Sequence, residues 1–136
     1  MQTVSRLEQT AIVAVVVLTG AIGFNLKAAY GADALPDGMA GFSGSLQGTV
    51  VAKGQEGFTL KVKKIVRTWK NNRAENPQSA VGKSLELAAG NKFHTQFIGT
   101  LKKGEELTIE AKAKGKGLQI LELNGEQRRR IGIGKD

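Results

Sequence analysis

The sequence predicts a mostly β protein: a small, five-stranded OB-like barrel preceded by an N-terminal hydrophobic helix. Stretches in which apolar and polar residues alternate recur between residues 45 and 124, and turns containing glycine separate them. The segment 91–101 departs from this alternation and fits either a short helix or an irregular connection. It falls between the third and fourth strands, where an OB-type barrel has its insert. The one strongly apolar run, residues 11–24, precedes all of these strands.

The first two predicted strands form a hairpin around a turn at 54–57. In the second strand Phe58, Leu60 and Val62 alternate with polar residues, which is typical of a strand with one buried face. The stretch 67–82 that follows is polar and too long for a plain turn, and loops of this length are often functional. The predicted strands lie at 45–53, at 58–66, at 83–89, within 101–114 and at 118–124.

The chain divides into four predicted parts and holds one small domain. About a hundred residues follow the N-terminal segment, which is enough for one core but not for two. The stretch after that segment is rich in glycine, alanine and aspartate, as flexible tethers often are. The parts are an N-terminal hydrophobic helix at 1–32, a flexible linker at 33–44, the barrel at 45–127 and a basic tail at 128–136.

The apolar run allows three interpretations. As a retained anchor it would hold the protein in the inner membrane of the cell envelope, with the β domain outside the cytoplasm. Its fourteen residues are fewer than the roughly 20 that a full span needs. The residues that flank the run are mostly uncharged, so they could extend the span. As a secretory signal it would be cleaved near Ala32-Asp33-Ala34. As a pilin-like helix it would pack in the core of a filament. The residues assigned to the membrane are Ala11, Ile12, Val13, Val15, Val16, Val17, Leu18, Ile22 and Phe24.

The net charge of +8 either attracts an anionic partner or only keeps a small domain soluble. From Gly38 onward the chain has 18 of its 20 Lys and Arg residues but 9 of its 12 Asp and Glu residues, so the excess belongs to the barrel. We expect membrane lipid and other protein subunits as partners. Nucleic acid is a weaker expectation, because single-strand binders stack bases on several aromatic side chains, and this chain has five Phe, one Tyr and one Trp.

Two groups of residues are candidates for contact with a partner. Trp69, the only tryptophan, lies where the second strand enters the long loop, beside Arg67, Lys70 and Arg73. It could stack on or anchor a partner, or it could cap the open end of the barrel. The second group is Arg128, Arg129 and Arg130, which could contact anionic lipid or an acidic protein, or could be a solvated terminus.

No set of residues indicates catalysis, so we expect neither an enzyme nor a bound cofactor. The chain has no cysteine, and its single histidine, His94, lacks a second ligand for a metal ion. We expect His94 to be a surface or turn residue. Glu105 and Glu106 are adjacent, so in a strand they point to opposite faces and cannot work as a carboxylate pair.

The stretch TLKVKKIVRTWKNNRAENPQSAVGKSLEL, together with LKKGEELTIEAK, resembles small uncharacterised envelope domains of planctomycete-type bacteria over about residues 45–124. The resemblance implies an OB-like fold and an envelope location, but no activity and no site. The predicted function is a non-enzymatic, membrane-tethered binding or assembly module, an accessory or structural subunit of an envelope complex. The alternatives are a pilin-like filament subunit and an exported basic OB-fold domain that binds nucleic acid or another polyanion.

Overall fold

A computed structural model describes residues 32–133, which contain five strands and two α-helices. The first helix lies in the stretch for which the sequence allows a short helix or an irregular connection, and the second was not predicted. Short 3-10 helices at Asp37–Met39 and Pro77–Ala80 precede β1 and β3. The elements are β1 (Ser43–Lys53), β2 (Gly57–Thr68), β3 (Ser84–Ala88), α1 (Lys92–Thr100), β4 (Glu106–Lys114), β5 (Gly117–Ile120) and α2 (Gly125–Arg130).

The five strands close into a barrel in the order β1-β2-β3-β5-β4, with β4 returning to β1. All neighbouring pairs are antiparallel except β3 and β5, which run parallel through Leu87 opposite Leu118. Helix α1 connects β3 to β4. The predicted fold is therefore confirmed as a mostly β, closed five-stranded barrel, and this arrangement is consistent with an OB-like barrel. The predicted N-terminal helix and all of the residues assigned to the membrane lie outside the described residues.

The core fills the inside of the barrel with side chains that alternate along the strands. Leu46 and Val50 of β1 and Phe58 of β2 are fully buried, and α1 adds Phe97 and Ile98. Within residues 32–133, all buried apolar residues lie between 39 and 123 and form one continuous core. No helix within residues 32–133 has the length and the apolar character that crossing a bilayer requires.

Segment 33–44 differs from the predicted flexible linker, because it packs against the barrel. Met39 is completely buried and Phe42 is 1% exposed. Backbone hydrogen bonds also join this segment to the long loop, from Arg73 N–H to Gly41 O (3.0 Å) and from Asn76 N–H to Gly38 O (2.9 Å). Two large apolar side chains among small residues are too few to show a pattern in the sequence, although they complete one end of the core.

The C-terminal part also differs from the prediction. Strand β5 ends at Ile120 rather than at 124, and residues 125–130 form α2 instead of a fraying tail. Asn124 and Gln127 form a capping box: the Asn124 side chain accepts from Gln127 N–H (2.8 Å), and the Gln127 side chain accepts from Asn124 N–H (3.0 Å). The Gln127 Nε2 also donates to Thr108 O of β4 (2.7 Å), which fastens α2 to the barrel.

Candidate binding face on strand β2

Two β-bulges in β2 place its cationic side chains on the outer face of the barrel. Leu46 pairs with Ile65 while Ser45 pairs with Arg67, so Val66 is an extra residue. In the same way Lys63 is extra, because Gly48 pairs with Val62 while Gln47 pairs with Lys64. Without these bulges, residues three apart would point to opposite faces of the strand.

The register then puts three cations in one column. Lys61, Lys64 and Arg67 oppose Thr49, Gln47 and Ser45, three β1 residues that alternate with buried core positions and therefore face outward. Consecutive rows are two β1 residues apart, so the cations repeat at about 6.6–6.8 Å along the strand. We call Lys61, Lys63, Lys64, Arg67 and Trp69 the basic β2 face.

Trp69 lies at the end of this face. Its backbone N–H donates to Ser43 O (2.9 Å), which continues the register of β2 by one row. The Arg67 guanidinium carbon lies 5.2 Å from the centre of the indole ring, a cation–π distance. The indole is half-buried. Trp69 and Arg67, both predicted as candidates for contact with a partner, are therefore in direct contact with each other.

The floor beside this face consists of small polar residues of β1. Ser43 and Ser45 point outward, yet they are only 4% and 6% exposed because longer side chains flank them. Ser45 has Arg67 on one side and Glu110 of β4 on the other. The outer surface of β1 is thus formed by small polar side chains, and the cations of β2 lie along one side of it.

Two carboxylates of β4, Glu106 and Glu110, lie on the other side of β1 from the basic β2 face. The Lys63 ammonium and the Thr49 hydroxyl both contact Glu106, and the hydrogen bond from Lys63 lowers the pKa of that carboxyl below its ordinary value. Burial raises the pKa of Glu110, and the nearby Glu122 raises it further while Arg67 opposes the change. Both carboxylates share one face, which the alternation of residues in β4 predicts.

The other two predicted contacts of the long loop, Lys70 and Arg73, are exposed. The Arg73 backbone is fixed by its hydrogen bond to Gly41, and Asn72 Oδ1 accepts from Ser43 N–H (3.1 Å). The loop therefore packs on the segment before β1, and its two cations lie beyond the row of Trp69 and Ser43.

The three arginines of the predicted basic tail have separate environments on α2. Arg130 donates through both guanidinium Nη atoms to the Glu105 carboxylate, and its Nη2 also donates to Thr100 O (2.7 Å). Arg128 Nη1 donates to Leu123 O (2.9 Å). Among the described residues, Arg129 has no hydrogen bond or ion pair of its side chain. The prediction of one cationic cluster therefore differs from the structure, in which two of the three side chains hold α2 in place.

His94 is a buried residue, and the prediction of a surface or turn histidine is wrong. It is 4% exposed and lies in the first turn of α1. Its Nδ1 accepts from Gly90 N–H (2.8 Å), and the backbone of Leu121 lies near enough to the ring to act on its pKa. Burial lowers the pKa of the imidazole. The ring thus joins the start of α1 to the chain after β5, a structural role that nothing in the local sequence indicates.

Among residues 32–133, no group of three or more His, Asp or Glu side chains is arranged to hold a metal ion. Comparison with known proteins identifies no relative: no protein-family model, no curated protein and no solved structure matches the chain. The resemblance to envelope domains of planctomycete-type bacteria stays a prediction.

Lys61, Lys63 and Lys64 belong to the candidate face, although the sequence pattern predicts Lys61 and Lys63 only as polar residues of a strand and assigns no face to Lys64. A signal was present, because Lys61, Lys64 and Arg67 recur at intervals of three. That spacing has no meaning in a regular strand, where residues of one face recur at intervals of two. The two bulges bring these three residues to the same face, and the bulges are defined by the pairing of β2 with β1.

Proposed function

We propose that this protein is a non-enzymatic binding module, an accessory subunit of an envelope complex, whose basic β2 face contacts an acidic partner protein. The single observation that carries the proposal is the alignment of Lys61, Lys64 and Arg67 on one face by two bulges. Bulges re-aim side chains at functional sites, and this pair collects positive charge that would otherwise be divided between two faces.

The pair of Trp69 and Arg67 favours a protein as the partner. Tryptophan and arginine are the residue types that most often dominate the energy of protein interfaces. Here the two side chains are in cation–π contact, so a partner that binds one of them also meets the other.

Attachment to the inner membrane is the second part of the proposal. It rests on the apolar run at 11–24 and on the basic character of the barrel. With this anchor, the barrel would contact its partner at the membrane surface outside the cytoplasm. The filament interpretation depends on the same run, and it stays a prediction.

Site-specific photo-crosslinking in native membranes tests the proposal. A photo-reactive residue in place of Lys64 should join the full-length chain to one acidic protein, and Arg67→Glu in the same chain should abolish the adduct. The matched control carries the photo-reactive residue in place of Lys103, which is exposed in the connection between α1 and β4. Identical adducts from both positions, or none from Lys64, would contradict the proposed face.

A linear polyanion is the second candidate partner, and the even spacing of Lys61, Lys64 and Arg67 favours it. An extended single strand of nucleic acid repeats its phosphates at a comparable distance, and Trp69 at the end of the column could stack on a base. Because Trp69 is the only tryptophan, its fluorescence reports on this face alone.

Titration with a short oligothymidylate at several salt concentrations separates the two candidates. If the polyanion is the partner, the fluorescence of Trp69 should be quenched. Replacing Lys64 with glutamine should then reduce the salt dependence, the slope of log K against log salt, by about 0.7. Lys103→Gln should leave the slope unchanged. Absence of quenching at low salt would remove this candidate and would leave the protein partner untouched.

A further inference from the structure

The end of the barrel at which residue 32 enters has features that the proposed β2 face does not use. Asp33 is fixed to the start of β3: its N–H donates to Ser84 O (2.6 Å), and its carboxylate accepts from Ser84 N–H (2.8 Å). Leu35 N–H donates to Lys116 O in the turn between β4 and β5 (3.3 Å). The path of the chain is therefore fixed where it enters the barrel.

A shallow groove lies at this end, which we call the entry end. Its volume is about 500 Å³, and the segment before β1 lines it together with the turn between β4 and β5. The lining is largely apolar, and Asp37 is its carboxylate. The residues that matter here are Ala34, Leu35, Pro36, Ala40, Ala113 and Lys114.

Exposed cations border the groove. Lys114 belongs to its lining, and the Arg73 backbone N–H donates to the carbonyl of Gly41, another residue of the lining (3.0 Å). Lys70 and Arg73 lie in the loop that packs on the segment before β1, and both are exposed. An apolar groove with cations at its border matches the surface of an anionic bilayer, where acyl chains lie below negative head groups.

We propose that the entry end is a membrane-facing surface that binds the anionic head groups of a phospholipid bilayer. The proposal rests on the proposed anchor for its biological setting. Phe24 ends the apolar run, and eight residue steps separate it from Ala32, so the chain between them spans at most about 29 Å. A barrel tethered this closely presents its entry end to the bilayer more readily than the opposite end.

Vesicle binding by residues 32–136 tests the surface without the apolar run. We expect binding to vesicles of phosphatidylcholine with 30% phosphatidylglycerol at about 50 mM salt, and little binding to pure phosphatidylcholine. Arg73→Gln with Lys114→Gln should weaken the partition coefficient about 30-fold, which corresponds to about 1 kcal/mol for each charge. Unfolding by urea checks that this double variant is folded.

Two matched double variants remove the same charge elsewhere. One double variant, Lys102→Gln with Lys103→Gln, changes residues at the opposite end of the barrel. The other, Lys61→Gln with Lys64→Gln, changes residues of the basic β2 face. Each should change the partition less than threefold. An equal loss in all three double variants would mean that net charge alone drives binding, and it would overturn the proposal. A loss confined to Lys61 and Lys64 would also overturn it, because the lipid would then bind at the β2 face.

A second measurement uses the full-length chain in lipid nanodiscs. Hydrogen exchange of the turn at 114–117 should slow in nanodiscs that contain phosphatidylglycerol and stay unchanged in phosphatidylcholine alone. The turn at 54–56, at the other end of the barrel, is the internal control. Equal exchange of the turn at 114–117 in both lipids would overturn the entry-end surface. That result would not affect the crosslinking test of the β2 face, so the two proposals can fail separately.

Discussion

At the scale of single residues, Arg130 joins three parts of the molecule. Its guanidinium binds the Glu105 carboxylate with two nitrogens, donates to the end of α1 at Thr100 and lies 5.3 Å from the centre of the Phe97 ring. The hydrogen bond from Arg130 is the main cause that lowers the pKa of Glu105. Arg129, its neighbour on the same helix, makes none of these contacts, so the two arginines form a matched pair for experiment.

Replacing Arg130 with glutamine should reduce the free energy of unfolding by about 1–2 kcal/mol, because a two-nitrogen contact with a carboxylate and a carbonyl contact are lost. Arg129→Gln should change it by less than about 0.5 kcal/mol. Urea unfolding of both variants at pH 7 measures the difference. The carboxyl of Glu105 has a lowered pKa in the folded chain, so its ion pair with Arg130 stabilises the fold fully at pH values above the ordinary pKa of about 4.3. This stabilisation is lost as the pH falls through the lowered pKa. The effect of Arg130→Gln should therefore shrink below pH 4, and an effect that is constant with pH would contradict this account.

His94 should make the stability depend on pH near neutrality. The unfolded chain protonates this ring near pH 6.5, whereas burial lowers the pKa in the folded chain. Between these two values the unfolded chain binds more protons, so the free energy of unfolding should fall as the pH decreases below about 6.5. Urea unfolding between pH 7.5 and pH 5.5 measures the slope, and His94→Gln should flatten it. Because His94 is the only histidine, an unchanged slope in the variant would assign the effect to another group. Burial raises the pKa of Glu110, so in the range where this carboxyl titrates the free energy of unfolding should rise as the pH decreases.

At the scale of elements, α2 is too short to be stable alone and depends on its cap and its contact with β4. Asn124→Ala should cost about 1 kcal/mol, because the first turn loses the acceptor for Gln127 N–H. Hydrogen exchange of residues 125–131 should accelerate while the exchange of β1 and β2 stays near the wild-type rate. Asn71→Ala, a change of an exposed asparagine in the long loop, is the control. If the variant exchanges at the wild-type rate throughout, α2 does not depend on the capping box.

At the scale of the whole molecule, the folding unit begins before β1. Met39 and Phe42 are buried at the end of the core where the long loop and the segment before β1 meet. Phe42→Ala should lower the free energy of unfolding by about 3–5 kcal/mol, a large part of the roughly 5–15 kcal/mol expected for a domain of this size. A chain that starts at Ser43 should lose cooperative unfolding, whereas one that starts at Ala32 should keep it. Circular dichroism during urea unfolding distinguishes them, and equal stability of the two chains would contradict this boundary.

Part of the candidate site could be predicted from the sequence. Trp69 and Arg67 stand out because a single tryptophan among cations is conspicuous, and the structure places them in contact. The lysines of β2 could not be assigned to the same face, because bulges change the alternation on which the prediction depends. The arginines of α2 were predicted as one cluster, since a run of like charges gives no information about which neighbours each side chain meets.

The sequence by itself determined the β class, the five strands and the position of the insert, because alternation and glycine turns are local signals with a fixed period. Only the tertiary structure decided which face of β2 collects the cations, where the domain begins and what His94 and Arg130 contact. Each of these depends on residues far apart in the chain: Ser45 with Arg67, Phe42 with Ala113, and Glu105 with Arg130. Local patterns do not encode such pairs, since pairing is set by closure of the barrel and by the burial that follows from it.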